Sequence, residues 1–107
     1  MSVERRFEGV TLAIDGRRVG TAIRAAAPGR FLRRHPLRDA DLVRPGELVA
    51  AGATLGLLAI GSVLMPVTMP EDGFVLSLAP AGGPAVGWGE TLLEIVTLAE
   101  LRSTGIT

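Results

Sequence analysis

One histidine, no cysteine and no lysine leave this chain few routes to chemistry. All eleven basic residues are arginine. Arginine's guanidinium stays protonated and is a poor nucleophile, so a cofactor carried on an amide bond to a side-chain amine has nowhere to attach. A single histidine, no thiolates and scattered carboxylates do not supply the three or four convergent ligands of a zinc site. Gly82-Gly83-Pro84 and Gly87-Trp88-Gly89 are glycine-rich. Neither is followed by the Gly-Lys-Ser/Thr of a phosphate loop, and Trp88 between its glycines reads as a rim packing residue rather than a base-stacking one. His35 remains the one side chain suited to proton transfer near neutrality.

These residues need a scaffold, and the composition bounds it. A length of 107 residues predicts one domain with a single compact core. Apolar residues make up 48% and the formal net charge is zero, which places the chain among globular proteins and gives no reason to expect nucleic acid as a partner. Without disulfides, stability must come from packing. The start MSVERRFEG lacks the apolar core of a secretory signal, and the apolar stretch from Leu55 to Val67 is short and broken by Gly56, Gly61 and Pro66. The expectation is a cytoplasmic protein with no membrane association. Arginines cluster between Arg30 and Arg44 around Asp39 and Asp41, as a solvated loop or as a patch for an acidic partner.

The strongest pattern is a repeat. Gly46-Glu-Leu-Val49-Ala-Ala-Gly52-Ala-Thr54-Leu55-Gly-Leu-Leu58 recurs as Gly83-Pro-Ala-Val86-Gly-Trp-Gly89-Glu-Thr91-Leu92-Leu-Glu-Ile95, every position offset by thirty-seven. A shorter matched piece precedes each copy, Pro28-Gly29-Arg30-Phe31 and Asp72-Gly73-Phe74-Val75. Short apolar runs punctuated by glycine, with no clean helical period, predict β structure in two similar halves. Ahead of the repeat, alternating apolar residues from Val10 to Ile23 around Asp15-Gly16 predict a hairpin. It could add strands to a sheet, cover an edge or mediate a homo-oligomer. The segment from Val96 to Leu101 reads as a last strand or a short helical turn.

From Ala25 to Ile95 these motifs resemble the biotin/lipoyl attachment domain family, and within it the biotin carboxyl carrier domain of acetyl-CoA carboxylase. The resemblance covers about two thirds of the chain and rests on Gly29, the Gly46–Leu55 segment, Gly73 and the Gly83–Ile95 segment. It implies an all-β fold: a flattened sandwich of two four-stranded antiparallel sheets with pseudo-two-fold symmetry. The domain reading is an N-terminal hairpin extension over 1–24, the carrier-like domain over 25–96 and a tail over 97–107. The longer spacing in the first half places seven extra residues at about 33–40, where the resembling carriers insert a thumb over the biotin.

The family's modified lysine aligns with Ser62, in Ile60-Gly61-Ser62-Val63. Gly61-Ser62 suits a two-residue type II′ turn, so the hairpin is expected to persist without its amine and no cofactor is expected. A phosphopantetheine arm on Ser62 would need a helical carrier and an Asp-Ser-Leu motif, and neither is present. If the thumb folds over the hairpin as in the resembling family, His35 approaches Ser62 as a base, with Asp39 or Asp41 orienting the imidazole. Two functions follow. One is a non-biotinylated carrier-like protein acting as a binding or assembly module for a carboxylase-like or biosynthetic enzyme complex, with Arg33, Arg34, Arg38, Ile60, Gly61, Ser62 and Val63 as contacts. The other is a small enzyme of natural-product biosynthesis, binding an apolar substrate between hairpin and thumb, with Ser62 and His35 as weak catalytic candidates. Leu57, Leu58, Ile60, Val63, Leu64, Met65, Val67 and Met69 form an unusually apolar strip. It marks a partner or ligand surface, or the N-terminal hairpin covers it.

Overall fold

A computed structural model of the chain describes residues 8–9, 12–14, 16–79 and 85–103. Gly82, Gly83 and Pro84, with Val10 and Asp15 of the N-terminal hairpin, lie outside the described residues. Among the described residues the architecture is all-β and antiparallel, with one short helix. The strands are β1 (Glu8–Gly9), β2 (Leu12–Ile14), β3 (Arg17–Val19), β4 (Thr21–Arg24), β5 (Arg30–Leu32), β6 (Leu48–Val49), β7 (Thr54–Ile60), β8 (Val63–Thr68), β9 (Gly73–Leu78) and β10 (Thr91–Thr97). Helix α1 spans Leu98–Ser103. It starts where Thr97 Oγ1 accepts the Glu100 N–H at 3.0 Å, an N-cap that takes up one unpaired donor of the first turn.

One sheet runs β1-β9-β10-β4, with β6 sharing the outer edge of β9 beside β1; a second runs β5-β7-β8; β2 and β3 form a separate hairpin. The expected pair of four-stranded sheets is not seen among the described residues: the sheets have five, three and two strands. The first sheet has gained β1. In the second, the strand corresponding to β6 is reduced to a single bridge, Gly29 to Val86.

The repeat is visible as pairing register. Phe31 pairs with Leu58 and Arg30 with Ala59 in one sheet; Val75 pairs with Ile95 and Phe74 with Val96 in the other. The match continues into strands that the sequence comparison had not joined. Thr54↔Thr68, Gly56↔Val67, Leu57↔Pro66 and Leu58↔Met65 have as counterparts Thr91↔Arg24, Leu93↔Ile23, Glu94↔Ala22 and Ile95↔Thr21, including the register shift after the first pair. β4 is thus the second-half equivalent of β8. The halves also exchange strands: Val49 of the first pairs with Gly73 of the second, and Val86 of the second with Gly29 of the first.

Glycine makes this exchange sterically feasible. A Cβ at Gly29 would press into the Ala59 carbonyl oxygen, and one at Gly73 into that of Val96, so the equivalent position in each half admits only hydrogen. Between the sheets Phe31, Leu55, Leu58, Val75, Leu92, Leu93 and Ile95 are buried in one core. The matched strand positions supply these residues because alternate side chains of each strand face inward.

A second, smaller cluster lies on the outer face of the β9-β10 sheet. There Val19, Leu76 and Val96 pack with Leu12, Ile14, Phe74 and Leu101. The N-terminal hairpin therefore covers this face, not the apolar strip on β7 and β8. Of that strip, Leu57, Leu58 and Met69 are buried and Ile60 and Val67 half-buried, while Val63, Leu64 and Met65 stay exposed. Among the described residues no helix is long and apolar enough to cross a membrane.

Candidate functional site

Ile60 and Val63 close the β7-β8 hairpin, leaving Gly61 and Ser62 as its two-residue loop. Gly61 has φ +59°, the sign that the first central position of a primed hairpin turn demands and that a side chain would resist. Both loop residues are exposed, and Val63 is 58% exposed. The tip is a tight, solvent-facing turn that presents a hydroxyl and an apolar side chain.

β8 is an edge strand, which would ordinarily invite pairing with another chain. Counting from the closing pair, Leu57↔Pro66 falls on a non-hydrogen-bonded position, so the backbone nitrogen of Pro66 faces the open edge. Proline has no N–H to offer there, and the edge is a poor template for strand addition.

The thumb segment begins beyond Leu32, which pairs with Leu57, three residues short of Ile60. Arg33 is only 9% exposed. Its Nε donates to the Ala79 carbonyl at 3.1 Å and its Nη2 to that of Leu78 at 3.4 Å, so it anchors the segment to β9 from within. Arg34 bonds the Asp39 carbonyl at 2.7 Å and pairs with Asp41 at 2.9 Å. Leu37, at 88% exposure, and Arg38 project outward. Of the predicted contact residues, Arg34 and Arg38 therefore lie on the surface with Gly61, Ser62 and Val63. Ile60 is half-buried and Arg33 is internal.

His35 is half-buried, and its Nδ1 accepts the Leu37 N–H at 3.1 Å. Asp41, one of the two acids considered for orienting it, is drawn into the arginine pair instead. Among the described residues no hydrogen bond or ion pair joins residues 34–40 to the tip, so the Ser62–His35 pairing is not assembled in this structure. Among the same residues, no group of three or more histidine, aspartate or glutamate side chains gathers to hold a metal ion.

Trp88 corrects an expectation. It is 76% exposed and is not packed into a rim. The register places it at the tip's end of the molecule. Arg30↔Ala59 puts Gly29 opposite Ile60, and Gly29 pairs on its other side with Val86, giving a row Val63, Ile60, Gly29, Val86 across the sheet. β5 runs away from the tip; the chain at Val86, antiparallel to it, runs toward that end and reaches Trp88 two residues later. The sequence signal was present in the repeat, where Trp88 replaces Ala51 of the first copy.

Arg24 completes this end. Its Nη1 donates to the Gly89 carbonyl at 3.1 Å, which lays the guanidinium against the turn that carries Trp88. Compared with protein-family models and with curated proteins, the chain matches none.

Proposed function

We propose that this protein is a carrier-shaped domain without a carrier's cargo, a non-biotinylated relative in form of the biotin carboxyl carrier domain that acts as a binding or assembly module for a carboxylase-like or biosynthetic enzyme complex in the cytoplasm. The reading takes the two sheets as a flattened sandwich of the biotinyl/lipoyl type with pseudo-two-fold symmetry, and the matched registers of the two halves support it. The single observation that carries it is the hairpin tip. Gly61-Ser62 keeps a tight, exposed turn at the position aligned with the attachment lysine, while the chain has no lysine to modify. A retained shape without an attachable amine suits recognition rather than transport. The exposed thumb residues Arg34 and Arg38 add a second contact surface.

The test is direct binding of the purified protein to purified biotin carboxylase-type and carboxyltransferase-type subunits, followed by analytical ultracentrifugation. A complex that weakens when Gly61-Ser62 is lengthened and Arg34 and Arg38 are changed to alanine supports the proposal. Absence of any complex, or one indifferent to both changes, sinks it.

A further inference from the structure

We infer that the tip's end of the molecule is a docking face for an acidic protein segment bearing an apolar side chain, with Trp88 as the anchor and Arg24 and Arg30 as its charge partners. The inference deepens the assembly reading by naming the partner's chemistry, and it rests on the same end of the fold being a contact surface.

Preorganisation comes first. Trp88 sits on a turn closed on itself, with Gly87 N–H bonded to Glu90 Oε1 at 2.8 Å and Glu90 N–H to the Gly87 carbonyl at 3.2 Å. Gly89 N–H to Ala25 at 2.9 Å and the reciprocal Gly29–Val86 bonds, at 3.0 and 2.7 Å, fix both sides of that turn to the sheet. An indole held in water by a rigid frame loses little freedom on binding and has a large apolar area to cover, which is why tryptophan recurs at the energetic centre of interfaces. Exposed Pro28 and Val63 extend the apolar surface at this end.

Charge then selects the partner. Arg24 lies against the Trp88 turn, and Arg30 projects from the outer face next to Gly29, exposed. Glu90 is the acid on the same turn, and its carboxylate accepts the Gly87 N–H. Among the described residues of this turn and its flanking strands, Arg24 and Arg30 are exposed while the Glu90 carboxylate is engaged. A segment with carboxylates flanking an apolar residue would meet both features. A single-stranded nucleic acid would instead want successive aromatic platforms along a basic groove, and Trp88 is the only tryptophan, with no tyrosine in the chain.

That single tryptophan makes the experiment clean, because all indole fluorescence reports from the face itself. The full chain is titrated with a short peptide alternating glutamate and leucine, with a lysine–leucine peptide of equal length, and with an oligothymidylate. The expected result is a saturable blue shift with the acidic peptide alone, weakening as salt is raised. By anisotropy of the labelled acidic peptide, Trp88→Ala and Arg24→Gln should each lower affinity about tenfold. Trp88→Ala alters a mostly exposed side chain, so folding is not at issue, and Arg24→Gln checks the charge term separately. No saturable shift with the acidic peptide, an equal shift with the basic one, a response to oligothymidylate alone, or affinity untouched by both variants would overturn the inference. If the acidic peptide binds and no carboxylase-type subunit does, this face stands and the assembly reading falls; the opposite pattern removes the face and leaves that reading.

Discussion

The two halves of this domain are built on one pairing scheme and finished differently. At one end the row Val63, Ile60, Gly29, Val86 is closed by a two-residue turn, with Val86 buried and Val63 left in solvent. Its counterpart at the other end, Thr97, Gly73, Val49, is buried. There the chain leaves β10 into α1, and the hairpin β2-β3 folds over the outer face, so Val19 is 9% exposed where Val63 is 58% exposed. Val86 and Val49 are buried alike, so the two ends part where the chain continues beyond them, at exposed Val63 and at covered Val19. What differs is the part of the chain outside the repeat.

The largest effect should come from breaking the scheme the halves share. Gly29→Ala and Gly73→Ala each drive a Cβ into a carbonyl oxygen of the neighbouring strand, and backbone cannot step aside as a side chain can. Each is expected to cost about 3 kcal/mol or more, the upper range for overpacking, measured by denaturant unfolding. The costs should agree to within about 1 kcal/mol, since the registers match. A large cost at one and none at the other would mean that the halves are equivalent in pairing but not in packing.

Arg33 tests a difference in the connections. The equivalent residue of the second half is Ser77, whose hydroxyl bonds Glu94 at 3.1 Å; Arg33 instead reaches across to the Leu78 and Ala79 carbonyls. Arg33→Ala leaves buried acceptors short of a donor and is expected to cost about 2 kcal/mol. Amide hydrogen exchange should accelerate over 33–46 and not in the core strands. Uniform acceleration would show that Arg33 supports the whole core rather than the thumb segment.

Much of this scaffold was legible in the sequence, because the repeat carries its own physical signature. Glycine at 52 and 89 returns in the structure with φ of +85° and +80°, and Thr54 and Thr91 each open a seven-residue strand. The equivalence of β4 to β8 was not legible. Thr21-Ala-Ile-Arg24 and Met65-Pro-Val-Thr68 share only one inward-facing aliphatic residue, and pairing geometry, not side-chain identity, relates them. The destination of the N-terminal hairpin was equally hidden, since alternation shows that Leu12, Ile14 and Val19 need an apolar face but not which face is vacant. At the tip, turn chemistry read correctly from Gly61. Trp88 was misread because the exposure of a side chain depends on neighbours distant in sequence.

Val19 and Val63 sharpen the contrast between the ends at a single side chain each. Val19→Ala removes two buried carbon groups from the cluster with Leu76 and Val96, for about 1.5–2.5 kcal/mol. Val63→Ala should stay within about 0.5 kcal/mol, as substitutions of exposed residues do. If Val63→Ala also costs more than about 1 kcal/mol, the tip is not the free surface its exposure implies.

A small effect concerns what holds the cover in place. Arg18 Nη2 on the hairpin meets Glu94 Oε1 and Oε2 at 2.8 and 2.7 Å, and Glu94 occupies the position where the other half has Leu57. With the arginine side chain 64% exposed, the pair is largely screened, so Arg18→Ala should cost about 0.5–1 kcal/mol and less as salt is raised. Glu94→Leu makes the covered face resemble the open one. If the hairpin is held by Leu12, Ile14 and Val19, that variant loses no more than Arg18→Ala and its hairpin amides remain protected. If the hairpin is released, the ion pair and not the apolar contact decides which face of the duplicated scaffold is covered.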